Sequence, residues 1–259
     1  MRYNGIKAIA AIAVLAATLA APGAARAQFG DYGVRGAIGM ATISDDLSTK
    51  SPILGAGLGA YINYTFASSQ AAFSEVFYLQ SGLWLNRRGS DFEVKLEQGN
   101  SLCVREGYYH AYYAQLPVLA CFRFELPIRK AGHLVGAFLG PAVNFGLFGR
   151  YKDSMVSPGL SDPSVNYNTD LDGPASDRAV FNHLRRLDVS AVAGLTYEHG
   201  DFGVSLYVDH GFIATSTETD VLRQLDQTLN GTEGSVEIPN GNNTAFMLSV
   251  SYRLGTFAK

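Results

Sequence analysis

A serine, a histidine and an acid close together are the minimum equipment for acyl transfer, and one stretch holds all three: Asp209 beside His210, with Ser205 and Ser216 nearby. On a membrane-embedded scaffold such a trio would modify lipid. Adjacent residues of an extended chain point to opposite faces, however, so Asp209 is badly placed to orient His210. Gly55-Ala56-Gly57-Leu58-Gly59-Ala60 nearly fits a dinucleotide fingerprint, but no helical pattern follows and the glycines alternate as along a strand. Asn168-Thr169-Asp170-Leu171-Asp172-Gly173 resembles the first half of a calcium loop, yet Ala179 stands where the bidentate glutamate belongs. A solvated turn-rich loop accounts for it equally. His110, His133, His183, His199 and His210 show no metal-ligand spacing, and Cys103 and Cys121 form no CxxC pair. No catalytic residue, cofactor or metal ligand is assigned on these grounds.

The elements that would position such residues are clearer than the residues themselves. Apolar side chains recur at every second position in eight segments near 32–43, 53–66, 76–88, 108–125, 133–150, 185–199, 201–213 and 244–255. In the last, Thr244, Phe246, Leu248, Val250, Tyr252 and Leu254 share one face, while Met247, Ser249, Ser251 and Arg253 share the other. The same parity sets Leu54, Leu58 and Ile62 against Gly55, Gly59 and Asn63, and Leu116 and Phe122 against Gln115 and Arg123. An outward apolar face with a polar inward face predicts an all-β, eight-stranded antiparallel up-and-down transmembrane β-barrel whose solvent is lipid. A soluble barrel carrying an apolar ligand would need the opposite arrangement. His210 falls on the outward parity and is expected near the outer rim.

Connection lengths alternate as well. Those at 67–75, 126–132 and around Gly200 are short, whereas 89–107, 151–184 and 214–243 are long and expected to face outward. Ahead of the barrel, Met1 to Ala27 has Arg2 and Lys7, an apolar run from Ala8 to Ala21, and Ala25-Arg26-Ala27 as a cleavage site, the plan of a signal peptide. That run falls short of the ~20 residues a membrane helix needs. Residues 28–259 then form the barrel domain. Because the leader holds three basic and no acidic residues, 17 basic against 23 acidic remain, a formal net charge of −6 that argues against a nucleic-acid partner. Glycine at 28 and tyrosine plus phenylalanine at 29 suit a crowded lumen and interfacial aromatic belts. Cys103 in a connection and Cys121 low on the next strand would lie far apart, predicting free thiols.

The order of short motifs resembles the PorT-like outer-membrane β-barrel family. The residues are Tyr32-Gly33-Val34-Arg35-Gly36, Gln80-Ser81-Gly82, Tyr113-Ala114-Gln115-Leu116-Pro117-Val118, Gly140-Pro141-Ala142, Gly194-Leu195-Thr196-Tyr197-Glu198, Asp209-His210-Gly211 and Ser251-Tyr252-Arg253-Leu254-Gly255. The resemblance implies an eight-stranded barrel in the cell outer membrane and no enzyme; the family's namesake serves protein secretion. The tail departs from many such barrels, since Phe257 is followed by Ala258 and Lys259 rather than ending the chain.

Arg35, Arg123, Glu125, Asp188, Glu198, Asp209 and Arg253 all take the inward parity and are expected to form a lumenal charge network that plugs the barrel. Arg35, Arg123 and Arg253 are expected to meet Glu125 and Glu198 toward the inner end. The resulting expectation is a structural, docking or surface-binding barrel without an open pore, in contact with outer-membrane lipid and with an envelope or secretion-system protein as candidate partner. Recognition would lie in 151–184 and 214–243, where Asp220 to Leu229 spaces Val221, Leu222, Leu225 and Leu229 as on a short amphipathic helix. A lipid-modifying enzyme and a component of a secretion system are the alternatives.

Overall fold

The computed structural model describes residues 27–44, 49–66, 76–98, 101–127, 132–156, 181, 185–213 and 241–257. Its strands are β1 (Ala27–Ser44), β2 (Thr49–Phe66), β3 (Phe77–Gln98), β4 (Ser101–Glu125), β5 (His133–Val156), β6 (Leu187–His199), β7 (Phe202–Gly211) and β8 (Asn242–Thr256). Each pairs antiparallel with its chain neighbours, and β1 pairs with β8, so the sheet closes into a barrel. β6 and β7 are joined by Gly200 and Asp201 alone, with Gly200 at a φ of 61°, the positive value that two-residue hairpins demand and glycine adopts without strain. Residues 1–26 of the leader, the calcium-like stretch, His183, Ser216 and the 220–229 segment lie outside the described residues.

The outward face follows the alternation in the sequence. Leu58 is 68% exposed, Leu195 67% and Leu206 64%, while the intervening residues of the same strands point into the barrel. Val189 is a departure: it shares the outward parity of β6 but is buried where Phe212 N–H donates to its carbonyl at 2.8 Å. The inward face is less polar than the sequence suggested. Trp84, Leu119, Phe138, Val192, Tyr207 and Met247 form an apolar cluster inside the barrel. Glycines on β2 make room for it: a Cβ on Gly59 would stand 2.6 Å from Trp84 Cδ1. The glycine series therefore belongs to a strand packed under an aromatic ring, and the helix of a nucleotide-binding turn is absent from β2.

Two connections differ from expectation. Residues 89–107 are mostly a hairpin, β3 and β4 pairing from Asp91 opposite Tyr108 to Gln98 opposite Ser101. Phe92, Val94 and Leu96 alternate with charged neighbours there, a period-two signal that the density of charge obscured. Likewise β5 continues through 151–156, paired with β4 as far as Val156 opposite Val104. With 22, 25 and 24 residues, β3, β4 and β5 are at least twice the ~9–11 residues needed to cross a bilayer. Cys103 accordingly lies on β4 and not in a loop. It is eighteen positions from Cys121 on one extended strand, roughly 60 Å, far beyond disulfide reach, and Cys121 is a buried free thiol.

Candidate functional site

The interior is built in layers, each drawn from several strands. Nearest the long connections, Arg88 of β3 reaches Asp209 of β7 and Asp188 of β6. Its Nη2 donates to Asp209 Oδ2 and, at 3.0 Å, to Asn144 Oδ1, and its Nη1 lies 3.6 Å from Asp188 Oδ2. Around this core Gln115 Nε2 donates to Asp209 Oδ2 at 2.7 Å, Asn86 Nδ2 to Gln115 Oε1 at 2.6 Å, and Asn144 Nδ2 to Ser190 Oγ at 2.9 Å. Every one of these side chains is buried. One guanidinium thus holds two carboxylates out of water; Gln115 and Asn144 share in hydrogen-bonding the cluster, while Arg88 Nη1, Asp188 Oδ2 and Asp209 Oδ1 have no hydrogen-bond partner beyond the ion pairing. Above it Phe181 packs edge-on to Tyr113 with ring centroids 5.8 Å apart, in a space that Gly146 leaves by having no side chain.

In the middle, Arg35 lies over the Trp84 ring, 3.9 Å from its centroid, and 4.9 Å from that of Tyr207. Its Nη2 donates to Ser249 Oγ at 2.8 Å. Toward the short turns the lining is polar again. Gln80 donates to Asn63 at 2.9 Å and Asn63 to Asp31 at 2.5 Å. Arg253 spans Asp31 at 3.5 Å, Asp201 at 3.0 Å and the carbonyl of Gly200 at 2.5 Å. Tyr78 donates to Glu198 at 3.4 Å, and Arg123 sits 4.9 Å from the centroid of the Tyr78 ring. An open-mouthed cavity of about 40 Å³ lies among these groups and has Arg35 in its wall.

The seven charged residues singled out from parity therefore divide into separate sets. Asp188 and Asp209 are joined by Arg88, which sequence reasoning passed over because Arg87 and Arg88 are adjacent and blur the alternation. Arg253 takes Asp31 and Asp201, also missed, while Glu198 lies with Tyr78 and Arg123. Glu125 ends β4 in an exposed position, and Arg35 has no carboxylate partner among the described residues. The acyl-transfer trio is not brought together: Asp209 is inside with Arg88, whereas His210 lies on the outer face, with Nδ1 2.9 Å from Thr244 Oγ1. Ser205 instead donates to Thr196 at 3.1 Å. Among the described residues no group of three or more histidines, cysteines or acids could hold a metal ion.

Residues 26–216 match the family model described as outer membrane protein beta-barrel domain. The chain belongs to this family. Its place is thereby the outer membrane, and the leucine-rich outer face meets lipid. No helix among the described residues is long and apolar enough to cross a membrane; an outer membrane protein β-barrel crosses with strands. In such barrels the short turns face the periplasm and the long connections the outside. The Arg88 layer thus sits toward the cell surface and the Arg253 layer toward the periplasm. Among solved structures, the attachment invasion locus protein Ail of Yersinia pestis is similar at 10% identity and a TM-score of 0.34, covering 88% of this chain and 100% of that one. Neisserial surface protein A is similar at 10% identity and a TM-score of 0.36, covering 86% and 97%. No curated protein matches.

Proposed function

We propose that this protein is a non-conducting outer-membrane scaffold that presents its outer connections for surface binding or for docking an envelope partner. The observation that supports this most is the filled interior. Phe181 with Tyr113, the Arg88 layer and the Trp84 cluster stack across the lumen, and Gln115, Asn144, Leu119 and Val192 are inaccessible to water. Side chains alone fill barrels of about eight strands. Reconstituted in planar bilayers, the protein is expected to show no stable large conductance; a persistent channel of porin size would refute the plugged barrel.

Recognition then falls to whatever projects from the membrane, namely the ends of β3 to β5 and the connections at 157–184 and 214–240. A secretion-system role, implied by the PorT-like resemblance, is a narrower version of the same reading. Deleting 218–234 is expected to leave heat-modifiable barrel folding intact while abolishing capture of a crosslinked envelope partner. Capture that survives removal of both 157–180 and 218–234 would move the interaction to the periplasmic turns.

A further inference from the structure

We propose that the periplasmic cavity is an anion site with Arg35 as its floor, taking a small oxyanion group, carboxylate or phosphate. Arg35 is 7% exposed, and among the described residues no acid is paired with it. A buried cation without a counter-charge is costly. The faces of Trp84 and Tyr207 offset part of that cost, as aromatic quadrupoles do for a desolvated guanidinium. Of the guanidinium nitrogens of Arg35, Nη2 donates to Ser249 Oγ, whereas Nε and Nη1 have no hydrogen-bond partner among the described residues and are not wholly shut off from solvent, and the residue lines the cavity.

The rest of the cavity suits the same ligand. Tyr61, Asn63, Thr196, Ser205 and Ser251 line it with hydroxyl and amide groups. Its acids are already engaged at the mouth: Asp31 and Asp201 by Arg253, and Glu198 by Tyr78. Of the two basic groups in the lining, Arg253 thus has acids beside it and Arg35 has none among the described residues. A planar guanidinium in a low-dielectric recess matches the two oxygens of a carboxylate or phosphate. The open mouth lies beside Gly200 and Asp201 of the periplasmic hairpin, so the ligand enters from that side.

Trp84 is the only tryptophan of the chain and touches Arg35, which makes it a built-in reporter. The folded barrel in detergent micelles should be titrated with sodium phosphate, sodium acetate and sodium chloride at matched ionic strength while Trp84 fluorescence is followed. A saturable change with phosphate or acetate, and none with chloride, is expected; which oxyanion saturates first identifies the preferred group. Arg35→Gln, checked for heat-modifiable folding, should raise the midpoint at least about ten-fold, equivalent to losing one charged contact. Ser205→Phe, which fills the cavity and leaves Arg35 in place, should do the same and serves if the first variant does not fold. A linear, salt-indifferent response of the wild-type protein, or a midpoint unchanged by either folded variant, would overturn the site.

Discussion

Arg88→Met is expected to lower barrel stability by about 3–5 kcal/mol, the range for breaking a buried ion pair from one side. The loss comes from what remains behind. Asp188 and Asp209 would face each other in a recess where each is about 2% exposed, with Asn144 also deprived of a donor. Arg88→Lys should rescue only partly, because a single ammonium cannot reproduce the fork that contacts Asp209, Asn144 and Asp188 at once. Adding Asp188→Asn and Asp209→Asn to Arg88→Met should recover much of the loss, since neutral groups of the same shape remove the unpaired charge. Urea titrations of the lipid-embedded protein measure all three variants against the parent. A cost below about 1 kcal/mol for Arg88→Met would show that the layer is not held by charge.

On the opposite face, Leu195→Arg and Leu58→Arg are expected to cost about 2–4 kcal/mol each, because a lipid-facing arginine near the bilayer midplane has no water to solvate it. Both positions are about two-thirds exposed in the bare protein and so point straight at hydrocarbon. Leu254→Arg, close to the end of β8 and the aromatic ring of Tyr252, should cost only ~0–1 kcal/mol, since the penalty falls away toward the interface. The same urea titration decides. Equal costs at the three positions would mean that Leu195 and Leu58 do not face the middle of the membrane.

The barrel was legible in the sequence because lipid acts as a second solvent. It forces Leu54, Ala56, Leu58 and Ala60 onto one face and leaves Gly55, Gly57 and Gly59 on the other, a pattern of period two that needs no tertiary information. Gly200-Asp201 marked its hairpin for an equally local reason. Parity also placed the charges inside, but says nothing about depth or about which strand lies across the lumen. Arg88 meets Asp209 from 121 residues away, and Arg35 lands on Trp84 and Tyr207 rather than on an acid. Such pairings depend on strand stagger, which no single segment encodes. Charge in 89–107 was read as solvent exposure and loop, whereas alternating charged and apolar residues also build strands that project into water. Ser190 shows the remaining limit: parity makes it inward and polar but does not show that it is fully buried and accepts a hydrogen bond from Asn144.

The cross-lumen pairing has a kinetic consequence. Arg88 to Asp209 closes a loop of 121 residues and Arg35 to Ser249 one of 214, and the entropy of closing such loops is lost before either contact gives anything back. The Arg88 layer is complete once β3 to β7 are paired, but the layers below it are not: Arg35 needs Ser249, and Arg253 needs Asp31, across the seam of β1 with β8. Until β1 meets β8, Trp84, Leu119 and Val192, almost wholly hidden in the finished molecule, remain open to water and to each other's copies. Closure is therefore a late step, and the unclosed chain is prone to aggregation before it.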